Sequence, residues 1–101
     1  MDGIDAAVFS IGPRSQQPCL DGQIPDLTME LLTSELIEFE PAFKRQLKRL
    51  VAEGESTLRN ICLLNAALGE VFADASLKAL KTARTKGINV DLIGSHGQTI
   101  W

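Results

Sequence analysis

The chain has 101 residues, 45% of them apolar and 23% charged, which is enough for one small globular domain and no more. Its net charge of −3 and pI near 5.0 argue against nucleic acid as a partner, because phosphate binding wants a basic surface. With four Phe, one Trp and no Tyr, a core has to be built from Leu, Ile, Val and Ala. Cys19 and Cys62 lack metal-ligand spacing and have a single histidine to help them. Two readings stand for the pair, a disulfide and two reduced thiols, and the second is the plainer. Asp2 and Asp5 occupy the start where a signal peptide would carry a basic residue and an apolar run. No apolar stretch approaches the roughly 20 residues that span a bilayer, so a cytoplasmic location without a membrane partner is expected.

Ile4 to Ile11 reads as a strand. Ile4, Ala6 and Val8 fall on one face and Ala7, Phe9 and Ile11 on the other, so both faces are apolar and a strand buried between layers is expected. Gly12-Pro13 closes it. Arg14 to Asp26 is polar, carries Pro18, Gly22 and Pro25, and reads as a loop. Leu27 to Thr33 alternates with period two and is read as a strand extending through Ile37 to Phe39. Its Met, Glu and Leu would also suit a short helix.

Pro41 suits the first position of a helix, where its missing N–H costs nothing. Phe43, Leu47, Leu50 and Val51 follow at helical spacing, and Gly54 ends the helix. Lys44, Arg45, Lys48 and Arg49 share the opposite face, a solvated face rather than a phosphate patch. Ser56 is the expected N-cap of a longer helix that runs to about Lys86 and stops at Gly87. Ile61, Leu64, Leu68, Val71, Phe72 and Ala75 form its apolar stripe, with Cys62 beside it. Ala66, Ala67, Gly69 and Ala73 suit close approach of a neighbour, and Gly69 is a candidate kink. Glu70, Asp74, Lys78 and Lys81 mark the wet side, with Asp74 and Lys78 spaced for an ion pair. Ile88 to Ile93 reads as a third strand. The predicted order is strand, strand, helix, helix, strand, an α/β unit.

After Ile93 the apolar run breaks into Gly94-Ser95-His96-Gly97-Gln98-Thr99, the pattern of a buried strand ending at a functional loop. The glycines allow close approach of backbone to a ligand, and Ser95, His96, Gln98 and Thr99 supply donors and acceptors. His96 reads equally as a satisfied structural histidine and as a ligand contact.

Asp91 to Trp101 resembles the Asp-Leu-Ile-Gly-Ser-His-Gly-Gln-Thr stretch of the anhydro-N-acetylmuramic acid kinases. Met1-Asp2-Gly3, followed by Ile4-Asp5-Ala6-Ala7, is similar to the second half of that family's first glycine-rich loop, Gly-Thr-Ser-Met-Asp-Gly. The two matches, in the right order, are specific together; the middle of the chain matches only in pattern. The resemblance implies an incomplete first half of an actin-like, sugar-kinase or Hsp70-type ATPase domain. Residues 1–101 would then be a partial N-terminal subdomain, with the first central strand and the whole second domain outside it.

The resemblance also implies the site. Met1, Asp2 and Gly3 would belong to the loop that approaches the ATP phosphates, where glycine lets backbone N–H groups near the anion. Asp2 would serve the Mg²⁺ shell, whereas Asp5 on the following strand reads as structural. Ser95, His96, Gly97 and Gln98 would shape the cleft for anhydro-N-acetylmuramate. The family's catalytic aspartate lies in an Asp-Thr-Gly-Pro-Gly-Asn stretch that these 101 residues do not contain, so no catalytic base is assigned and the chain by itself is expected not to turn over. The rival reading is a non-catalytic module that binds a sugar, a nucleotide or a protein. Unpaired strand edges would then favour self-association.

Overall fold

The computed structural model describes residues 2–13, 22 and 26–98. Within them the chain forms β1 (Gly3–Pro13), β2 (Leu27–Glu38), α1 (Pro41–Glu53) and α2 (Leu58–Thr85). Most of the expected Arg14–Asp26 loop lies outside the described residues.

β1 and β2 pair antiparallel from Gly3↔Glu38 to Pro13↔Leu27. The register steps between Val8 and Phe9, where Val8 faces Thr33 but Phe9 faces Leu31, so Leu32 is an extra residue on β2. Such a bulge switches the alternation of the strand that carries it. Cross-strand partners share a face, so Leu27, Met29 and Leu31 before the bulge join Leu36 after it, on the face that carries Phe9 and Ile11. Thr33, Glu35 and Ile37 lie on the other face with Ile4, Ala6 and Val8.

That second face is the covered one. α2 packs against both strands, and the Thr82 hydroxyl donates to Glu35 Oε1 across 3.1 Å. Ala75, Ala83 and Thr33 are buried. The apolar stripe of α2 is half-buried at Leu64, Leu68, Val71 and Phe72, whereas Ile61 and Cys62 stay exposed. The helix is α-helical through Gly69. The small residues brought into full burial are Ala75 and Ala83; Ala66, Gly69 and Ala73 remain at the surface. Asp74 and Lys78 form no ion pair among the described residues. In α1, Arg49 and Glu53 do, at 2.6 Å.

The helix ends follow from local chemistry. α1 begins at Pro41 and stops at Gly54, which takes the left-handed conformation that glycine adopts without steric cost. The cap of α2 is Thr57, one residue after Ser56, and its hydroxyl accepts the Asn60 N–H at 3.1 Å. At the far end Gly87, with φ of 74°, lets Ile88 N–H reach the Ala83 carbonyl and its own N–H reach that of Arg84, each at 3.0 Å.

Two expectations about the strands are corrected. β1 is covered on one face only: Ala7, Phe9 and Ile11 are exposed, because α2 occupies one side of the sheet and nothing among the described residues lies over the other. The predicted strand at 88–93 is not one. Residues 88–98 carry no regular secondary structure, since β-propensity becomes a strand only where a neighbouring strand pairs with it. The observed unit is α/β, two strands and two helices with an open sheet. No helix of the described residues is long and apolar enough to cross a membrane.

Candidate functional site

The two ends of the chain, singled out by their sequence, have different surroundings. At the start, Asp2 lies just before β1 and is held from two directions. Its carbonyl accepts the Phe39 N–H at 3.1 Å, and its carboxylate pairs with Lys44 Nζ. Phe39 is buried and its ring meets that of Phe43 edge-on at 5.3 Å, which ties the end of β2 to the first turn of α1. One turn further on, Leu47 is completely buried. Asp2 is thus placed by the junction of β2 with α1.

Gly3 has a structural reason to be glycine. A Cβ at this position would lie 2.3 Å from the Ile37 carbonyl oxygen and 2.8 Å from Glu38 Cα. Both are backbone atoms of the partner strand, which approaches here because Gly3 has no side chain. Met1, the third residue expected in the loop, lies outside the described residues.

Lys44 is the residue that the sequence placed elsewhere. It was expected on a solvated cationic face, and Arg45 and Lys48 are indeed exposed. Lys44 is half-buried and turned onto Asp2. A signal was present: Lys44 sits in the first turn of α1, which has no acidic residue there, and a cation is unfavourable beside the positive end of a helix dipole. A lysine at such a position suggests an anionic partner nearby.

The hydrogen bond and charge of Lys44 hold the Asp2 carboxyl below its ordinary value of 3.8, with Lys48 adding a smaller effect of the same sign. A carboxyl depressed on folding contributes stability above its unfolded value and loses that contribution as the pH falls through the folded one. We therefore expect Lys44→Met to raise the Asp2 carboxyl towards 3.8 in a carbon-detected NMR titration. Any difference in melting temperature between Lys44→Met and the parent chain should be small, since solvent screens an exposed pair, and should close once the pH is below both values. An unchanged Asp2 titration in Lys44→Met would show that the pair does not form in solution.

At the other end, Ser95 and His96 are exposed, and Gly97 and Gln98 are half-buried. The Ser95 hydroxyl oxygen accepts the Gly97 N–H at 3.3 Å, closing a short turn in which Gly97 has φ of 74°. His96 is therefore not a buried structural histidine. Gln98 borders a groove of about 230 Å³ with Ile61, Cys62, Leu64, Asn65 and Leu68 of α2. A larger cleft of about 490 Å³ lies between α1 and α2, lined by the polar Arg49, Glu53 and Asn60 and the apolar Leu50, Leu63 and Leu64. Thr99 and Trp101 lie outside the described residues, as does Cys19; Cys62 is exposed.

No group of three or more His, Cys, Asp or Glu that could enclose a metal ion occurs among the described residues. Asp2 is a lone carboxylate at the surface. That suits Mg²⁺ in one respect, because this ion usually takes one or two carboxylates and fills its other positions with water and phosphate oxygens.

Comparison with known proteins supplies the remaining finding. The family model described as anhydro-N-acetylmuramic acid kinase matches residues 1–101. A protein of that name from Caldanaerobacter subterraneus subsp. tengcongensis is 38% identical over 100 residues, which is 99% of this chain and 23% of that protein. One from Bacillus cereus (strain B4264) is 35% identical over 101 residues, 100% of this chain and 24% of that protein. One from Synechococcus elongatus is 32% identical over 99% of this chain and 23% of that protein. The chain thus spans about a quarter of the length of the curated relatives it matches.

Proposed function

This chain belongs to the anhydro-N-acetylmuramic acid kinase family, and from that premise we propose that it forms part of the first, N-terminal half of such an enzyme. The match over all 101 residues carries the proposal. In this reading residues 1–101 are a partial N-terminal subdomain of an actin-like sugar-kinase fold. The complete enzyme opens the 1,6-anhydro ring of anhydro-N-acetylmuramate with water and moves the ATP γ-phosphate to the 6-hydroxyl, a step in recycling the amino sugars of peptidoglycan in the cytoplasm.

The residues fit separate roles. Asp2 would offer a carboxylate to Mg²⁺, directly or through water. The chemistry supplied by such an ion would be neutralisation of charge on the transferring phosphates. Lys44 and Lys48 keep positive potential beside the same anion. Gly3 keeps β2 close, so the backbone that leads into the phosphate loop starts from a fixed position. Ser95, His96, Gly97 and Gln98 lie on an accessible turn, where hydroxyl, imidazole and amide groups suit sugar hydroxyls. No side chain of the 101 residues is assigned as the base that deprotonates the accepting hydroxyl.

The test is ADP release with ATP, Mg²⁺ and anhydro-N-acetylmuramate. The expected result is no turnover by the 101-residue chain. Joined to the remaining roughly three quarters of the Caldanaerobacter protein, it should turn over, and Asp2→Asn in that longer protein should lower the rate by about 10–100-fold. Turnover by the short chain would overturn the claim that the base lies elsewhere. Silence from a folded longer protein would instead favour the non-catalytic binding module.

A further inference from the structure

We propose that Lys44 is a selectivity residue of the phosphate-loop site. Its ammonium, resting on the Asp2 carboxylate, turns away a bare divalent cation and admits the same cation as its polyphosphate complex. This rests on the placement of Asp2 in that loop, proposed above, and adds the form in which the metal is taken. The geometry fixes the ammonium and leaves the carboxylate open. Lys44 donates to Asp2 Oδ1, one of the two carboxylate oxygens. The Lys44 side chain is 31% exposed, whereas that of Asp2 is 68% exposed. Lys44 is carried by an anchored turn: Phe43 beside it meets the buried Phe39 edge-on, and Leu47, one turn on, is wholly buried. Asp2 is fixed by its own carbonyl, which accepts the Phe39 N–H at 3.1 Å. A ligand that reaches the open side of this carboxylate therefore meets the ammonium at close range.

Charge decides which ligand gains. A lone carboxylate attracts any divalent cation, but Asp2 with Lys44 beside it is a neutral pair, so a bare cation loses the net attraction. A metal–nucleotide complex is a net anion, and its phosphate oxygens can accept from the ammonium while the metal faces the carboxylate. One side chain thus disfavours one form and favours the other, which is how specificity is built from a repulsive element. Lys48, one turn further along α1, is exposed and acts on Asp2 in the same sense as Lys44. The first turn of α1 has no acidic residue to offset them. For charges on two sides of one carboxylate, Coulomb forces in water, reduced by salt, amount to a factor of roughly 3–10 in affinity.

Mn²⁺ is the probe in place of Mg²⁺, because it broadens the carbon signals of groups near it. In the 101-residue chain the Asp2 carboxyl signal is followed during titration with Mn²⁺ alone, and separately with Mn²⁺ in excess ATP. Lys44→Met should bind Mn²⁺ alone roughly 3–10-fold more tightly than the parent chain, and the Mn²⁺–ATP complex roughly 3–10-fold more weakly. Lys44→Arg keeps the charge and should follow the parent in both titrations. The opposite signs are the signature, since a side chain that only supports the fold would weaken both complexes or neither. Either of those results would overturn the proposal while leaving Asp2 as a metal-binding carboxylate. An Asp2 signal that neither titrant broadens, in the parent or in either variant, would overturn the placement of Asp2 itself and the role of Lys44 with it.

Discussion

Gly3→Ala should destabilise the isolated chain by about 1–3 kcal/mol, the usual range for atoms forced into filled space, with no nucleotide present. The added methyl would begin 2.3 Å from the Ile37 carbonyl oxygen and 2.9 Å from the Ile37 carbonyl carbon. No side chain can rotate away to relieve this, because both atoms belong to the backbone of β2. β2 must shift, and Phe39 moves with it. The hydrogen bond from Phe39 N–H to the Asp2 carbonyl, 3.1 Å long, is the next contact strained. Urea denaturation checks the prediction: the midpoint should fall while the slope is unchanged. The result also separates two reasons for a glycine here. If its role were only to admit a phosphate, Gly3→Ala would leave the free chain as stable as before and would weaken nucleotide binding alone. The geometry predicts that the free chain already suffers.

How far this was legible in the sequence depends on whether the decisive contact is local. The helices were legible because their limits are set by nearby chemistry: Pro41 and Gly54 bound α1, and Gly87 closes α2 through bonds to residues three to five positions back. The N-cap moved by one, from Ser56 to Thr57, since either hydroxyl residue can cap a helix and local pattern does not rank them. β1 and β2 were legible by period, and the change of parity from Leu27, Met29 and Leu31 to Leu36 was a readable sign of the bulge. The expected strand at 88–93 was not decided by its own residues. Val90, Leu92 and Ile93 have the right propensity, but a strand is a relation between two segments, and no described segment pairs with this one. The same reason governs the one-sided burial of β1, whose apolar faces indicate what the strand tolerates and not which layer covers it.

The candidate site divides in the same way. The 95–98 turn could be singled out by residue type and by resemblance, Asp2 and Gly3 by resemblance alone, and the contact that orders Asp2 joins residues 42 positions apart. The sequence reading left Lys44 on a solvated face, and a helix-dipole argument would have asked for an anion beside it without naming which. Only the fold, by running the end of β2 straight into α1 beside the start of β1, brings the ammonium to the carboxylate.

Leu47→Ala should cost about 2–5 kcal/mol, the largest effect of any single truncation proposed for this chain. Leu47 is the one large side chain among the described residues with no exposed surface, and few other residues anchor α1. Phe43 and Leu50 on the same side are half-buried, and Val51 is exposed. Removing three side-chain carbons therefore takes away both transfer energy and packing at the point where the helix is fixed. Lys44 is one helical turn before Leu47, so the loss should reach the site: an α1 that detaches carries the ammonium away from Asp2. Two measurements on the same sample check this together. The chemical midpoint should drop, and the Asp2 carboxyl should titrate closer to 3.8 at pH values where the rest of the chain is still folded. A drop in stability with an unchanged Asp2 titration would mean that the Phe39–Phe43 contact alone holds the first turn. In that case Phe43→Ala, not Leu47→Ala, should release Lys44.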